Sequence, residues 1–562
     1  MAYDLKIRGG TVIDGGGGPA RSGDVGIVNG RIVAVGAAPD VAGTTIDADG
    51  LVVAPGFVDI HTHYDAQILW DPMMTISPWH GVSTVVMGNC GFGVAPTRAG
   101  HRDLVLRTLE KVEGMSLECL REGCGEDWPF ETFPQYLDVI ERRGSAINVA
   151  ALIGHTPVRL YVMGEEAVER AATDEEIARM RGIVREAVLA GALGFATSKS
   201  PTHVGYAGHP VPSRVADLRE IHALAGALGE LGRGVVQATV GSGFFIDELG
   251  ALSRETGRMV TWTALLSGIL GPGSYRAFLD LTEKTLRGGA QVVPQVSCRP
   301  LNFEFDLAEP FPFESLPAFQ PVSAADRAGK ERLYRDPDFR AAVRTALTSD
   351  RGGPLRLCWD RTVVTYVPGD PGLSERPLVD VARARGVDPL DCMFDLGVAS
   401  GLAARFRTAI LNFDEREVAE LLAHPDTVLG LSDAGAHANQ LCDACFSTHL
   451  LGHWVREKGV LSLERAVHML TGRPAEVMGI GDRGRLAAGL AADVVLFDPA
   501  RVGAGALRRV RDLPGGADRL VSDATGIAAL IVNGSIVRRD GRDEIAPGGP
   551  LPGRLLRGGV AA

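Results

Sequence analysis

The chain has 562 residues, of which 45% are hydrophobic and 22% charged, and its formal net charge is −12. This length exceeds what a single hydrophobic core supports and predicts two or three folding units. The acidic balance argues against a nucleic-acid or anionic-membrane partner, and no apolar run approaches the ~20 residues of a membrane helix. The first residues fit neither a signal nor a transit peptide, and eight cysteines do not make a disulfide scaffold in a chain of this size, so we expect a cytoplasmic protein.

Both ends of the chain have the pattern of short strands joined by hairpins. Apolar runs flank an Asn-Gly dipeptide at Asn29-Gly30 and again at Asn533-Gly534, and this dipeptide is typical of two-residue hairpin turns. We therefore predict one small composite β-sandwich built from both termini, followed by a C-terminal tail. The predicted bounds are residues 1–54 with 482–545 for the sandwich and 546–562 for the tail.

The middle of the chain, residues 55–481, alternates strand-like apolar runs with helix-length segments. Residues 174–190 and 215–231, for example, are amphipathic. Such alternation over ~400 residues indicates an α/β fold with a parallel sheet, and at this length a (β/α)8 TIM-like barrel. The strand candidates are residues 57–60, 82–87, 146–153, 191–196, 234–239, 259–265, 291–296, 355–359 and 428–431.

Two insertions into the barrel are predicted. Residues 100–135 are rich in charge and helix formers, and residues 300–335 carry several phenylalanines among prolines. The second insertion could be a lid or an oligomer contact. It could equally be a surface loop packed on its own aromatic side chains.

The clearest chemical motif is the segment 55–63, an apolar run that ends in His61 and His63. If residues 57–60 form a strand, side chains two apart lie on the same face, so both imidazoles point the same way. Two imidazoles at the end of a strand can bind one metal ion. The alternative is a pair of solvent-facing loop histidines.

In a barrel, the residues that follow the carboxyl ends of the strands form the active site. Cys90 follows the second strand between glycines, so its thiolate could approach a metal closely, although a buried packing role is the alternative. The other candidates that follow strands are His155, Arg159, Lys199, His203, Arg299 and Asp433.

The order of these motifs resembles the N-acyl-D-amino-acid deacylase (D-aminoacylase-like) branch of the amidohydrolase superfamily. H-x-H at His61 is followed by G-N-C-G at Cys90, G-H at His155 and S-D-x-G-A-H at Asp433, and the match covers nearly the whole chain. The resemblance implies a zinc site with His61, His63, Cys90 and Asp433 as ligands. It also implies a small-molecule substrate and a homo-oligomer.

The chemistry of such a site can be argued physically. A zinc ion lowers the pKa of water and polarises an amide carbonyl, and a carboxylate such as Asp433 can act as general acid/base. His155 is the candidate donor to the oxyanion, or else it braces a loop. Arg299 or Arg159 could hold a substrate carboxylate, or each could be a structural salt bridge. Lys199 is a further binding candidate, because some amidohydrolases carboxylate a lysine after strand 4.

The sequence departs from the family pattern after the fifth and sixth strands, where the family has two further metal-binding histidines. Neither strand candidate contains a histidine, and the nearest spare ones are His203 and His209. A single zinc per chain, held by the four ligands named above, is therefore expected.

We predict a metal-dependent hydrolase of a non-peptide C–N bond, with an N-acyl-(D-)amino-acid-like amide as substrate. One alternative is a diverged enzyme of the same fold with a non-hydrolytic or natural-product tailoring reaction. Another is a non-catalytic scaffold. Cys442 and Cys445 have redox or zinc spacing, but no second pair accompanies them, and we expect them to be packing residues.

Overall fold

The structure is a computed structural model that describes residues 2–314, 316–349, 355 and 358–561. Its strands are β1 (Tyr3–Val12), β2 (Arg21–Val28), β3 (Arg31–Gly36), β4 (Ala42–Asp47), β5 (Val52–Pro55), β6 (Phe57–Asp59), β7 (Val82–Met87), β8 (Asn148–Gly154), β9 (Gly194–Ser198), β10 (Val235–Thr239), β11 (Val260–Thr263), β12 (Val292–Val296), β13 (Leu301–Asp306), β14 (Thr362–Tyr366), β15 (Arg376–Pro377), β16 (Arg405–Leu411), β17 (Val428–Leu429), β18 (Val494–Phe497), β19 (Gly503–Val510), β20 (Arg519–Thr525), β21 (Ile527–Val532), β22 (Ser535–Arg539), β23 (Arg542–Asp543), β24 (Leu556–Arg557) and β25 (Val560–Ala561).

The helices cover the barrel and its insertions. They are α1 (Arg102–Glu113), α2 (Leu117–Cys124), α3 (Phe133–Arg143), α4 (His155–Met163), α5 (Asp174–Ala190), α6 (Pro212–Val215), α7 (Leu218–Leu231), α8 (Ile246–Thr256), α9 (Tyr275–Arg287), α10 (Gln320–Ser323), α11 (Arg327–Arg335), α12 (Pro337–Thr348), α13 (Leu378–Arg385), α14 (Pro389–Ala399), α15 (Glu415–Ala423), α16 (Phe446–His449), α17 (Leu463–Leu470) and α18 (Gly472–Met478), and a π-helix follows α16 at Leu450–Glu457. No helix in the described part of the chain has the length and apolar character needed to cross a membrane.

The centre of the fold is an eight-stranded sheet in the order β17-β12-β11-β10-β9-β8-β7-β6, in which the paired strands run parallel. Every residue of these strands is buried, as expected for a parallel sheet covered on both faces. A parallel bridge between Thr62 and Ala434 joins the two ends of the sheet and closes it. The predicted fold class, a TIM-like barrel with a composite β unit from both termini, is confirmed.

One predicted barrel strand is wrong. Residues 355–359 were predicted as a strand, but Cys358 and Trp359 begin a 3-10 helix, Cys358–Arg361. Residues 356 and 357 lie outside the described residues. Leu355 and Cys358 are buried, but in the core of the inserted segment and not in the barrel. A short apolar run indicates burial without indicating which core buries it.

The inserted segment extends well beyond residues 300–335. It forms its own antiparallel sheet in the order β13-β16-β14-β15, packed against α10–α14. The rings of Phe313 and Phe319 are stacked 5.2 Å apart in its core, and Phe305 lies 5.3 Å from Phe313. Part of the aromatic run is therefore packed on itself.

Strands from the two ends of the chain share one nine-stranded sheet. Its order is β23-β22-β21-β18-β5-β1-β2-β3, and β4 also pairs with β1. The junction is β5, which pairs with β1 on one side and with β18 on the other. The segment predicted as a tail forms the β24–β25 hairpin, in which Leu556 is fully buried in the same apolar cluster as Val58 and Ile60 of the barrel.

Candidate metal centre

The H-x-H pair lies where β6 meets the loop after β17. The backbone N–H of Asp433 donates to the carbonyl of His61 at 3.1 Å, and the N–H of His63 donates to the carbonyl of Ala434 at 2.7 Å. The hydroxyl of Ser432 also donates to the His61 carbonyl, at 3.0 Å. The loop that carries Asp433 is thereby fixed against the histidines by main-chain hydrogen bonds, which set the relative positions of the side chains.

Cys90 follows β7 in a tight turn between Gly88 and Gly91. A Cβ on Gly88 would lie 2.2 Å from the carbonyl oxygen of Leu152, so only glycine fits there. The N–H of Cys90 donates to Gln237 Oε1 at 2.7 Å. Cys90 has a φ of 56°, and Asp433 has a φ of 46°; non-glycine residues adopt this left-handed region at a cost and do so often at functional sites.

Four of the predicted ligands come together. The metal-binding atoms of His61, His63 and Cys90 lie within 4.8 Å of one another, and all three side chains are buried. Cys90 Sγ is 3.4 Å from His61 Nε2. Asp433 Oδ1 is 3.2 Å from His61 Nε2 and 3.7 Å from His63 Nε2. The side chain of Asp433 is 23% exposed, so the cluster opens toward solvent at this residue.

The electrostatics of the cluster favour a thiolate and a carboxylate. Burial opposes ionisation of Cys90, but the neighbouring His61 and His63 outweigh it and lower its pKa to about 6. Burial likewise opposes ionisation of Asp433, and the same two imidazoles hold its pKa below the usual range. For Asp59 and Asp65, burial outweighs the opposing effects of His61 and His63 and raises the pKa of each carboxyl to about 7.

An outer partner faces Nδ1 of each imidazole, and the sequence did not reveal either one. His61 Nδ1 is 2.8 Å from Gln295 Oε1, and His63 Nδ1 is 3.2 Å from Glu113 Oε1. Because an amide oxygen accepts only, His61 carries a proton on Nδ1, and Nε2 is the nitrogen that would bind a metal ion. A glutamine inside an apolar strand was the one available signal for Gln295, whereas nothing in the helical pattern of residues 102–113 marked Glu113.

The ends of the fifth and sixth strands carry threonines. Thr263 Oγ1 donates to Thr239 Oγ1 at 3.1 Å, and Gln237 Nε2 donates to Thr263 Oγ1 at 3.3 Å. Thr239 and Thr263 are the last residues of β10 and β11, the two strands after which the family pattern has further histidine ligands and this chain has none. His203 lies near the cluster, with the Phe92 ring 5.0 Å from the ring of His203 and 6.1 Å from that of His63, whereas His209 is exposed.

The structure places His155 and Arg159 outside the cluster. Both are fully buried and both bind Glu220 on α7: His155 Nε2 is 2.8 Å from Glu220 Oε1, and Arg159 contacts the other carboxylate oxygen. The second ring nitrogen of His155 is 2.8 Å from Thr197 Oγ1. Neither ring nitrogen is left for an oxyanion, and the guanidinium is enclosed by protein.

Lys199 and Arg299 are also held by protein groups. The ammonium group of Lys199 donates to the carbonyls of Arg214 and Ala216, and its pKa is lowered chiefly by burial. Arg299 Nε donates to Asp443 Oδ1 at 2.7 Å, and both side chains are largely buried. The structure thus does not bring these two cations to the metal-binding atoms.

The inserted segment contributes one wall near the cluster. The ring of Phe303 lies 5.7 Å from that of His437 in an edge-on arrangement, and Phe311 lies 6.5 Å from the same ring. Phe311 is 39% exposed. The first part of the aromatic run therefore borders the loop that carries Asp433. Cys442 and Cys445, later in that loop, are both buried, and Cys445 Sγ donates to the Cys442 carbonyl at 3.2 Å.

The residues present fit a zinc ion. His61, His63, Cys90 and Asp433 would hold the ion through two imidazole nitrogens, a thiolate and a carboxylate, which are donors that zinc accepts, and water would be a further ligand. The Nδ1 partners of both histidines are those of metal-ligating imidazoles. The lowered pKa of Cys90 provides the deprotonated sulfur that a metal requires.

A family model described as the amidohydrolase family matches residues 44–290 and 356–538. A D-aminoacylase from Alcaligenes xylosoxydans xylosoxydans is 32% identical over 558 residues, covering 99% of this chain and 97% of the relative. An N-acyl-D-aspartate deacylase from the same organism is 32% identical over 572 residues, covering 99% of this chain and 96% of the relative.

Solved structures agree. A crystal structure of D-aminoacylase has a TM-score of 0.67 and 27% identity, covering 99% of this chain and 100% of that one. An N-acyl-D-glutamate deacylase from Bordetella bronchiseptica, complexed with zinc and a phosphonate mimic of the tetrahedral intermediate, has a TM-score of 0.66 and 27% identity, with 99% and 100% covered. The resemblance drawn from the motifs is confirmed.

Proposed function

This chain belongs to the amidohydrolase family and is a hydrolase of carbon–nitrogen bonds other than peptide bonds, and from this premise we propose that it removes the acyl group of an N-acyl-D-amino-acid-like amide. The observation that carries the proposal is the cluster of His61, His63, Cys90 and Asp433 at the mouth of the barrel. The D preference follows the names of the relatives, which are a D-aminoacylase and deacylases of N-acyl-D-aspartate and N-acyl-D-glutamate.

We propose one zinc ion per chain, because the histidines form one cluster with Cys90 and the fifth and sixth strands end in threonines that bond to each other. When bound, zinc would lower the pKa of water and polarise the amide carbonyl. Asp433 holds its carboxylate 3.2 Å from His61 Nε2 and is open to solvent, so it is placed to accept the proton of the attacking water. The same oxygen would then donate that proton to the leaving nitrogen.

His203 is the better candidate for the oxyanion donor, because both ring nitrogens of His155 are engaged. His203 Nδ1 is 2.7 Å from Ser198 Oγ. Burial lowers the pKa of His203 to about 3, so its imidazole is neutral at physiological pH. If Ser198 donates to Nδ1, then Nε2 carries the proton and can donate to a developing oxyanion.

One observation favours a second candidate function. Arg159, Lys199 and Arg299, the cations predicted to bind a substrate carboxylate, are each held by protein partners. A diverged amidohydrolase whose substrate has no free carboxylate would need none of them.

The two candidates differ in their substrates, so a panel separates them. N-acyl-D-amino acids, their L enantiomers and the matching carboxamides are assayed for release of the free amine. Turnover of the D acids alone supports the first candidate, and turnover of the carboxamides alone supports the second. In either case Asp433→Asn is expected to lower kcat by about 10²–10⁴-fold, and unchanged turnover would refute the acid/base role.

The metal is tested separately by elemental analysis of purified protein. We expect about one zinc ion per chain in the wild type and loss of this ion in the double variant His61→Ala/His63→Ala. His209→Ala, which removes an exposed histidine of the strand-4 loop, is the matched control and should keep the metal. A metal-free wild type that takes up no zinc would refute the mechanism.

A further inference from the structure

The helix α1 brings a carboxylate to the metal centre from the segment inserted between β7 and β8. The side chain of Glu113, its last residue, is 5% exposed, and Oε1 lies 3.2 Å from His63 Nδ1. The backbone carbonyl of Glu113 accepts the N–H of His437, so the end of the helix is tied to the loop that carries Asp433.

This is an unfavourable place for a carboxylate unless an N–H or a cation faces it. A buried charge loses its hydration, and the carboxyl end of a helix carries partial negative charge that repels it. Among the described residues, the only ion pair of Glu113 is with His63, at 3.2 Å, and neither Glu113 Oε2 nor His63 Nδ1 has a hydrogen-bond partner. Among the groups that the structure describes, His63 is therefore the one ion-pair partner that offsets the buried charge of Glu113.

The two histidine ligands have outer partners of different charge. His61 faces the neutral amide of Gln295, whereas His63 faces the carboxylate of Glu113. A carboxylate at Nδ1 makes an imidazole more electron-donating than an amide does. The pairing with Glu113 leaves His63 Nε2 on the side of Asp433 Oδ1, 3.7 Å away.

We propose that Glu113 is a positioning residue of the metal centre. The Glu113 carboxylate, 3.2 Å from His63 Nδ1, holds the ring with Nε2 toward Asp433, and its negative charge would strengthen the binding of a cation at His63. This proposal rests on the proposed function, which supplies the metal ion.

The test is the zinc dissociation constant of Glu113→Gln, measured by competition with a chromophoric chelator. Glutamine keeps the size of the side chain and an acceptor oxygen but removes the charge. We expect zinc to bind about 10–100-fold more weakly than in the wild type. Glu110→Gln is the matched control, because it removes a carboxylate from the same helix that does not pair with a metal-binding histidine. Glu110 Oε1 instead accepts the N–H of Leu117, at a distance of 3.1 Å. This variant should leave the zinc dissociation constant unchanged.

Thermal unfolding separates a positioning role from a purely structural one. In the metal-free state Glu113→Gln should be at least as stable as the wild type, because a buried charge has been removed, while the rise in Tm on adding zinc should be smaller. A structural role predicts the reverse, with a lower metal-free Tm and an unchanged zinc affinity.

The possible failures are distinguishable. If the wild type binds zinc and the zinc dissociation constant of Glu113→Gln is within about twofold of the wild-type value, the role of Glu113 is refuted and the proposed function stands. If the wild type itself binds no zinc, the metal-dependent function is refuted, and the role of Glu113 with it.

Discussion

Gly435 controls the distance between the loop that carries Asp433 and the strand end that carries His63. Its φ is +94°, and a Cβ added there would lie 2.6 Å from the carbonyl oxygen and 2.7 Å from the carbonyl carbon of His63. Ordinary contact begins near 3.4 Å. In Gly435→Ala the loop must therefore move away from His63 by roughly 0.8 Å, because both contacting atoms belong to the backbone.

A displacement of this size would move Asp433 relative to His63. Misplacement by about 1 Å can cost about 10²-fold in rate, so we expect Gly435→Ala to lower kcat/KM by about that factor on any substrate found in the panel. The backbone strain of alanine at positive φ adds a stability cost of roughly 1–2 kcal/mol. Both quantities are measured on one preparation, by steady-state kinetics and by thermal unfolding.

The matched control is Gly489→Ala. Gly489 has a φ of +91°, and a Cβ added there would meet no atom within 4 Å. It therefore incurs the same backbone strain without the contact, and it should lose stability while keeping wild-type kcat/KM. If Gly435→Ala keeps kcat/KM within about threefold of Gly489→Ala, displacement of the loop does not control catalysis and the geometric reasoning is refuted.

Three further predictions concern the buried charges and the metal. Glu220→Ala should lower the free energy of unfolding, measured by denaturant titration, by about 3–5 kcal/mol, because it leaves the guanidinium of Arg159 buried without its counter-ion. A loss below about 1 kcal/mol would contradict this prediction. In the metal-free protein, the thiolate absorbance of Cys90 should titrate near pH 6, because His61 and His63 lower the pKa of this thiol to about 6. The absorbance change should be absent in Cys90→Ser. A midpoint near the ordinary thiol value of 9.0 would show that the imidazoles do not lower the pKa of the thiol. Dialysis against a chelator should abolish turnover and about one equivalent of zinc should restore it, whereas turnover that survives complete metal removal would exclude a metal-dependent mechanism.

The sequence predicts the barrel well where burial is uniform. Residues 82–87 were expected as a strand and form β7 with those bounds, because a parallel strand covered on both faces is rich in apolar and β-branched residues. The same signal misplaced residues 355–359, since a second core in the inserted segment buries its own apolar runs. The local sequence pattern indicates that a segment is buried. Which of the two cores buries it depends on contacts between residues that are far apart in sequence.

In the candidate site, too, residues in a local motif could be predicted and residues brought together by tertiary contacts could not. H-x-H is a local motif, so His61 and His63 could be paired from strand periodicity alone. Glu113 and Gln295 reach these histidines only through tertiary contacts, and no spacing along the chain connects them. For Arg159, the residue type suggested anion binding, but its partner Glu220 lies on another helix and could not be identified from the sequence.

The junction strand β5 has a consequence for synthesis in the cell. One edge of β5 pairs with β18, which begins about 440 residues later in the chain. At a translation rate of about 5–20 residues per second, that edge stays unpaired for roughly 20 to 90 seconds after β5 is made. During this interval the nascent chain exposes an apolar strand edge that can join another chain, so the early strands are where we expect chaperones to act.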